Sequence, residues 1–275
     1  VEEVKIDGRL RLVPATWNEL SRPLLLRVLA VLYGPNADVQ QLRIKLLAVL
    51  LQVPLALVVL HVTPVQVVQI QWLTNFLLEE LTLTAQLLPW LKRPGWRHWL
   101  GRRWWGPRES LRNVSFAEFI FADAYFVAYA RSQEPAHLDQ LVAVLYRPQR
   151  ADYDPTAVSF LGDRREDFNE HLVPARARCF AALDMTEKLA VLTWYRGCRL
   201  QLERDYPLVF EAPEGVDVDP TGGGWGQVLR ELSGQAFGTL QETKQQPIRL
   251  VLAKLQDDAH RAKELARQAR ENAPT

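Results

Sequence analysis

Residues 115–131 read SFAEFIFADAYFVAYAR. Ser115 is a good N-cap, Glu118 follows three residues later, and Phe116, Phe119, Ile120 and Val127 recur at helical spacing on one face. A core helix is expected here. Glu134-Pro135 ends it and opens a second helix with Leu138, Leu141, Val142 and Leu145 turned inward, which Arg147-Pro148 closes. Further helices are expected over about 164–182 and 186–206. Asp184 and Glu187 stand at capping spacing, and Pro207 ends the second of these.

Upstream, Thr16 with Glu19, Ser21 with Pro23, and Thr63 with Pro64 mark helix starts, and Gly34-Pro35 marks a stop. Asn36 or Asp38 is placed to cap a helix running through Leu51. Ahead of these, VKIDGRLRL (4–12) carries Asp7-Gly8, a two-residue hairpin signal. The fold class is therefore mainly α: a multi-helix globular body with a small N-terminal β-hairpin and a C-terminal helical segment. Three parts are expected, namely a helical body over 1–210, a linker at 211–224 and a helical segment at 225–275. The linker, EAPEGVDVDPTGGG, is acidic and rich in Pro and Gly. The C-terminal segment carries a helix from Trp225, a capping pair at Thr239 and Glu242, and a long helix from Pro247 to about Glu271. Ile248, Val251, Leu252 and Leu255 form the docking stripe of that last helix, which turns polar beyond Asp258.

The 275 residues are 48% hydrophobic and 24% charged, with a formal charge of +1. That is a globular composition with no net field to steer the chain to nucleic acid or membrane. Cys179 and Cys198 form no CxxC pair, so they read as free thiols in a reducing compartment. The opening Val1-Glu2-Glu3-Val4 is acidic where a secretory signal would be basic, which favours the cytoplasm. No residue between Lys45 and Glu79 carries a full charge. Pro54, Pro64 and several polar residues interrupt this run, so it is read as two buried core helices with a break rather than a membrane span.

The strongest local anomaly is residues 92–108. They hold Lys92, Arg93, Arg97, Arg102, Arg103 and Arg108 with no acid, together with Trp96, Trp99, Trp104 and Trp105. The prolines and glycines of 89–108 predict a long loop or extended arm. Arginine beside tryptophan suits a protein contact or single-stranded nucleic acid, whereas a loop folded back on the body needs neither. Asp163, Asp167 and His171 stand four apart and would line one helix face as metal ligands, although a solvated acidic face explains them as well. The glycines at 222–224 lead into Trp225 without a Walker lysine, so no nucleotide site is expected.

Three segments carry a resemblance: LVPATWNELSRPLLLRVLAVLYG near the start, residues 106–148, and residues 187–210 followed by GWGQVLRELSGQAFGTLQET. Together they resemble a group of functionally uncharacterised proteins encoded among tail-morphogenesis genes of phages and prophages of Bacteroidetes. The closing stretch is similar to the ends of tail assembly chaperone-like proteins. The resemblance implies a non-enzymatic factor that binds a tape-measure or other tail protein, in the bacterial cytoplasm or with the virion. It implies no catalytic residue, metal or cofactor. The expected partner contacts are Trp96, Trp99, Arg102, Arg103, Trp104 and Trp105 of the arm, with Trp225, Phe237, Ile248, Leu252 and Leu255 of the C-terminal segment. The alternatives are a nucleic-acid-binding protein using residues 92–108 and a metal-dependent enzyme using Asp163, Asp167 and His171.

Overall fold

A computed structural model of the chain describes residues 1–6, 9–61, 63–92, 103–157, 162–211, 224–234 and 236–272. In chain order it holds strands β1 (Glu2–Ile6) and β2 (Arg9–Val13), then helices α1 (Arg22–Leu32), α2 (Val39–Leu50), α3 (Leu55–His61), α4 (Pro64–Ile70) and α5 (Asn75–Leu78). Next come β3 (Trp90–Lys92), β4 (Arg103–Trp105), α6 (Phe116–Ser132), α7 (Pro135–Leu145) and β5 (Arg147–Pro148). The chain continues with α8 (Val173–Phe180), α9 (Met185–Asp205), α10 (Pro207–Phe210), α11 (Gly224–Leu232), α12 (Leu240–Gln245) and α13 (Ile248–Glu271). The protein is mainly helical, with a small antiparallel hairpin at the N-terminal end and a long C-terminal helix. It divides into two compact units, one of residues 1–88 with 184–200 and the other of residues 89–183 with 201–275. The expected linker falls almost entirely outside the described residues, and 225–275 belongs to the second unit.

In the first unit, β1 and β2 pair from Glu2↔Val13 to Ile6↔Arg9. Asp7 and Gly8 lie outside the described residues. Arg11 donates to the Leu51 carbonyl at 2.7 Å, tying the hairpin to the end of α2. Pro23 opens α1, which buries Leu24, Leu25, Val28 and Leu29 at helical spacing. Asp38 is the cap of α2, accepting from the Gln41 amide, while the Asn36 side chain donates to the Val31 and Gly34 carbonyls and closes α1. Asp184 likewise accepts from the Thr186 amide at the start of α9. Arg22 reaches Glu187 of α9 at 2.5 Å, and Trp194 donates to the Thr84 carbonyl at 3.2 Å.

α9 passes close to the extended chain near Leu83 at Gly197. A Cβ at that position would stand 2.2 Å from the Leu83 carbonyl oxygen. Glycine is required there by proximity, since the helix itself would favour alanine.

In the second unit, the stretch expected as a loop begins and ends as sheet. β3 pairs with β4 and β4 pairs with β5, all antiparallel. The described residues of the arm therefore have backbone partners, and Trp104 becomes core, 6% exposed and edge-on to Phe180 at 4.8 Å. α6 and α7 form the helical hairpin expected from the sequence, with Leu138, Leu141, Val142 and Leu145 fully buried. α6 itself turns Phe116, Phe119, Ala122 and Asp123 inward, whereas Ile120 and Val127 are only half-buried.

The helix expected over 164–182 is corrected. Residues 163–169 are extended, a 3-10 turn spans Glu170–Leu172, and α8 begins only at Val173. Pro174 lacks an amide proton and favours a first-turn position, so a helix cannot run through it unbroken. The backbone ahead of it bonds sideways to β5 and its neighbours, through Glu166 N to Pro148 O at 2.9 Å and Arg150 N to Arg164 O at 3.0 Å.

α13 is pinned by its first turn. Ile248 N donates to Val114 O at 3.0 Å, and Phe116 N donates to Gln246 O at 2.8 Å. Ile248, Val251 and Leu252 are buried, and every described residue from His260 onward is exposed. Replacing Gly197 by Ala is expected to destabilise the first unit by about 1–3 kcal/mol through overpacking against Leu83. Urea unfolding followed by circular dichroism measures this. An unchanged midpoint would contradict the close approach.

Candidate functional site

Two features of the described residues have functional geometry, one in each unit. The first is a cleft of about 610 Å³ in the second unit. Its lining includes Arg108, Arg112, Ser115, Glu118, Arg147, Arg150, Asp163, Asp167, Phe168, Glu170 and Lys244. At its floor lies Glu118, 1% exposed, one turn into α6. Arg165 contacts this carboxylate at 2.5 Å and Arg147 at 3.0 Å, and both arginines are themselves buried. Asp163 closes the group, 2.9 Å from Arg165 and 3.8 Å from Arg147. Two carboxylates and two guanidiniums thus meet with no net charge, which is how buried ions are tolerated.

The same arginines also serve the backbone. Arg147 donates to Val144 O and Glu166 O, and Arg165 donates to Leu145 O and Asn113 O. Val144 and Leu145 end α7, where helix carbonyls have no partner of their own and cations are favoured. The cluster therefore joins the start of α6, the end of α7, β5 and the extended segment 163–166.

Burial alone would raise the Asp163 pKa, but the bond from Arg165 and the charges of Arg165 and Arg147 outweigh it and hold the carboxyl below its ordinary range. Burial and the nearby Arg165 push the Arg147 guanidinium down, while Glu118 pulls it back up. Nearer the mouth, Lys244 meets Glu170 at 3.0 Å, and Arg150 meets Asp152 at 2.8 Å and Asp167 at 3.6 Å. The acids of this cleft are engaged by cations, an arrangement suited to holding segments together.

This arrangement corrects the metal-site expectation. Asp163 is a partner of arginines in extended chain, Asp167 is on the exposed side of Arg150, and His171 is an exposed residue of the 3-10 turn. They do not share a helix face. Among the described residues no group of three or more His, Cys, Asp or Glu side chains is placed to hold a metal ion.

The sequence-derived contact residues fare differently from one another. Trp96, Trp99 and Arg102 lie outside the described residues. Arg103 stacks on Trp90 at 4.4 Å and Arg164 on Trp105 at 4.0 Å, so these groups use their aromatic–cation pairing within the chain. Trp225 sits edge-on to Phe116, Phe119 and Phe210 and donates to Asp123 at 3.2 Å. Phe237 and Leu255 are half-buried. Trp104, Ile248 and Leu252 are interior residues of the second unit, because each is covered by neighbouring elements of that unit. They are not available as contact surface in this structure.

The second feature was misread from the sequence. The charge-free run after Lys45 forms short helices as expected, but α3 and α4 are not buried. Val58 is the buried side chain of α3 on the side that packs on α2, and the 3-10 turn after α4 lies on α2 through Leu73. Their outer faces carry Leu55, Leu57, Val59, Leu60, Val65, Val68 and Trp72, between 42% and 75% exposed. Val65, Val68 and Trp72 follow at three- and four-residue spacing, which makes one stripe. The flanking cations are turned away: Arg43 donates to Gln71 O, Thr74 and Asn75, and Lys45 donates to Pro35 O and Asn36. No helix among the described residues is long and apolar enough to cross a membrane.

No family model, curated protein or solved structure matches this chain.

Removing the central anion by Glu118→Gln is expected to cost about 3–5 kcal/mol, since two buried guanidiniums would then share one carboxylate. Equilibrium unfolding at neutral pH measures the loss. A depressed folded-state pKa at Asp163 contributes stability that is complete above the unfolded value, about 3.9, and is lost as pH falls through the folded value. The wild type should therefore lose stability below about pH 4, and Asp163→Asn should flatten that acid limb.

Proposed function

We propose that this chain is a non-enzymatic protein-binding factor of phage tail assembly, chaperone-like or structural. The observation that carries the protein-binding part is the apolar outer face of α3 and α4. Monomeric proteins rarely leave contiguous apolar patches larger than a few hundred Å² uncovered, and larger ones mark contact surfaces. The face has the chemistry of a helix-docking surface: leucine, valine and tryptophan at helical spacing, with no charge to desolvate. The mutual pairing of the acids and cations in the cleft supports a structural use of those groups rather than a catalytic one. The tail-assembly setting rests on the resemblance of residues 106–148 and 187–210, and the apolar face is a suitable means of holding a partner with exposed apolar helix faces.

Co-expression with the proteins encoded by adjacent tail genes tests the reading. A complex that co-purifies with the wild type, and is lost in Val59→Asp/Val68→Asp with helical content unchanged, is the expected result. A complex that survives those substitutions would remove the face from the binding site. Turnover of a small-molecule substrate that depends on Glu118 or Asp163 would displace the non-enzymatic reading itself.

A further inference from the structure

Resting on the reading that the α3–α4 face binds protein, we propose that its occupant is a second copy of this chain, with the face meeting itself across a two-fold axis. In such an interface each side chain opposes a symmetry-related surface, so any charge would face a like charge. This face carries none. Every residue from Leu46 to Leu78 is uncharged, and the nearest cations, Arg43 and Lys45, are bonded to carbonyl and side-chain oxygens of their own unit.

The polar residues among the apolar ones are also self-compatible. Gln52, Gln66 and Gln69 are exposed. A carboxamide carries both donors and an acceptor, so it can pair with the same group of a copy. A partner of different sequence would need no such symmetry of donors and acceptors, and a surface adapted to one would be free to use charge for selectivity. Anionic membrane surfaces favour helices with basic polar faces, which α3 and α4 lack.

The size is adequate. Seven apolar side chains at 42–75% exposure present on the order of 500 Å². Two such faces bury roughly 1,000 Å² in total, the lower bound for a specific interface, before the glutamine rim is added. Trp72, half exposed beside Val65 and Val68, is the residue type that most often anchors the centre of such contacts.

Light scattering coupled to size-exclusion chromatography, and sedimentation equilibrium, on the full chain test this. The wild type should be a dimer at about 10 µM, and Val59→Asp/Val68→Asp a monomer with the same circular dichroism. Should the aspartates disturb folding, the milder Leu60→Gln/Val65→Gln should raise the dimer dissociation constant at least about tenfold. Leu265→Asp, on the exposed part of α13, should leave the dimer intact. A wild type that stays monomeric at about 100 µM would overturn the proposal, as would a dimer indifferent to both face variants. A monomer that binds uncharged phosphatidylcholine vesicles through this face would overturn it in favour of a lipid surface. A monomer that still captures a tail protein through the face would overturn it while leaving the proposed function standing. A face-dependent dimer that captures no tail protein would do the reverse.

Discussion

The second unit depends on one carboxylate. Glu118 lies a single turn into α6 with essentially no solvent contact, and a lone buried carboxylate costs several kcal/mol. Its stability requires the two guanidiniums that reach it from β5 and from the extended segment at Arg165. Once there, those guanidiniums have donors left over. The nearest acceptors are the carbonyls that end α7, so a charge problem on one helix is solved by the same groups that complete the terminus of the next. The path of residues 163–169 follows from this. The segment is held extended beside β5 because Arg165 must lie at the centre of the cluster, and Pro174 defers the helix to the far side.

A neutral, fully engaged cluster also explains why a sizeable polar cleft is compatible with a binding protein. Its acids sit among cations at ion-pair distance, and its arginines are fixed by backbone carbonyls. The first unit uses the opposite strategy at its surface. Two short helices are laid over α2 by a few buried residues, and their remaining apolar side chains are left uncovered. The free energy available from covering them favours association, while the missing charges leave electrostatics neutral on the choice of orientation.

Much of the helical skeleton was legible in the sequence, and the failures were of one kind. α7, α9, α13 and the capping boxes at Thr63–Gln66 and Thr239–Glu242 are where the residue spacing placed them. The arm around Trp104 was read as a loop because prolines and glycines dominate it, yet its ends pair as strands with a segment more than forty residues away. Glu118 stood where a helix-start acid is common, and nothing local marks it as the partner of residues 29 and 47 positions further on. The apolar run 46–78 was read as core because apolar residues usually are. Whether a helix face is covered depends on what else the chain brings to it.

By itself the sequence determined where helices begin and end and which fold class results. Those decisions are made by hydrogen bonds and steric limits within about four residues, as at Asp38 with Gln41 or Pro174 in the first turn of α8. Only the tertiary structure decided which apolar stripes are buried, that Ile248 and Leu252 serve the interior, and that Val59, Val68 and Trp72 face outward. Desolvation and ion pairing depend on neighbours far away in the chain, and the spacing of residues along a sequence does not carry that information.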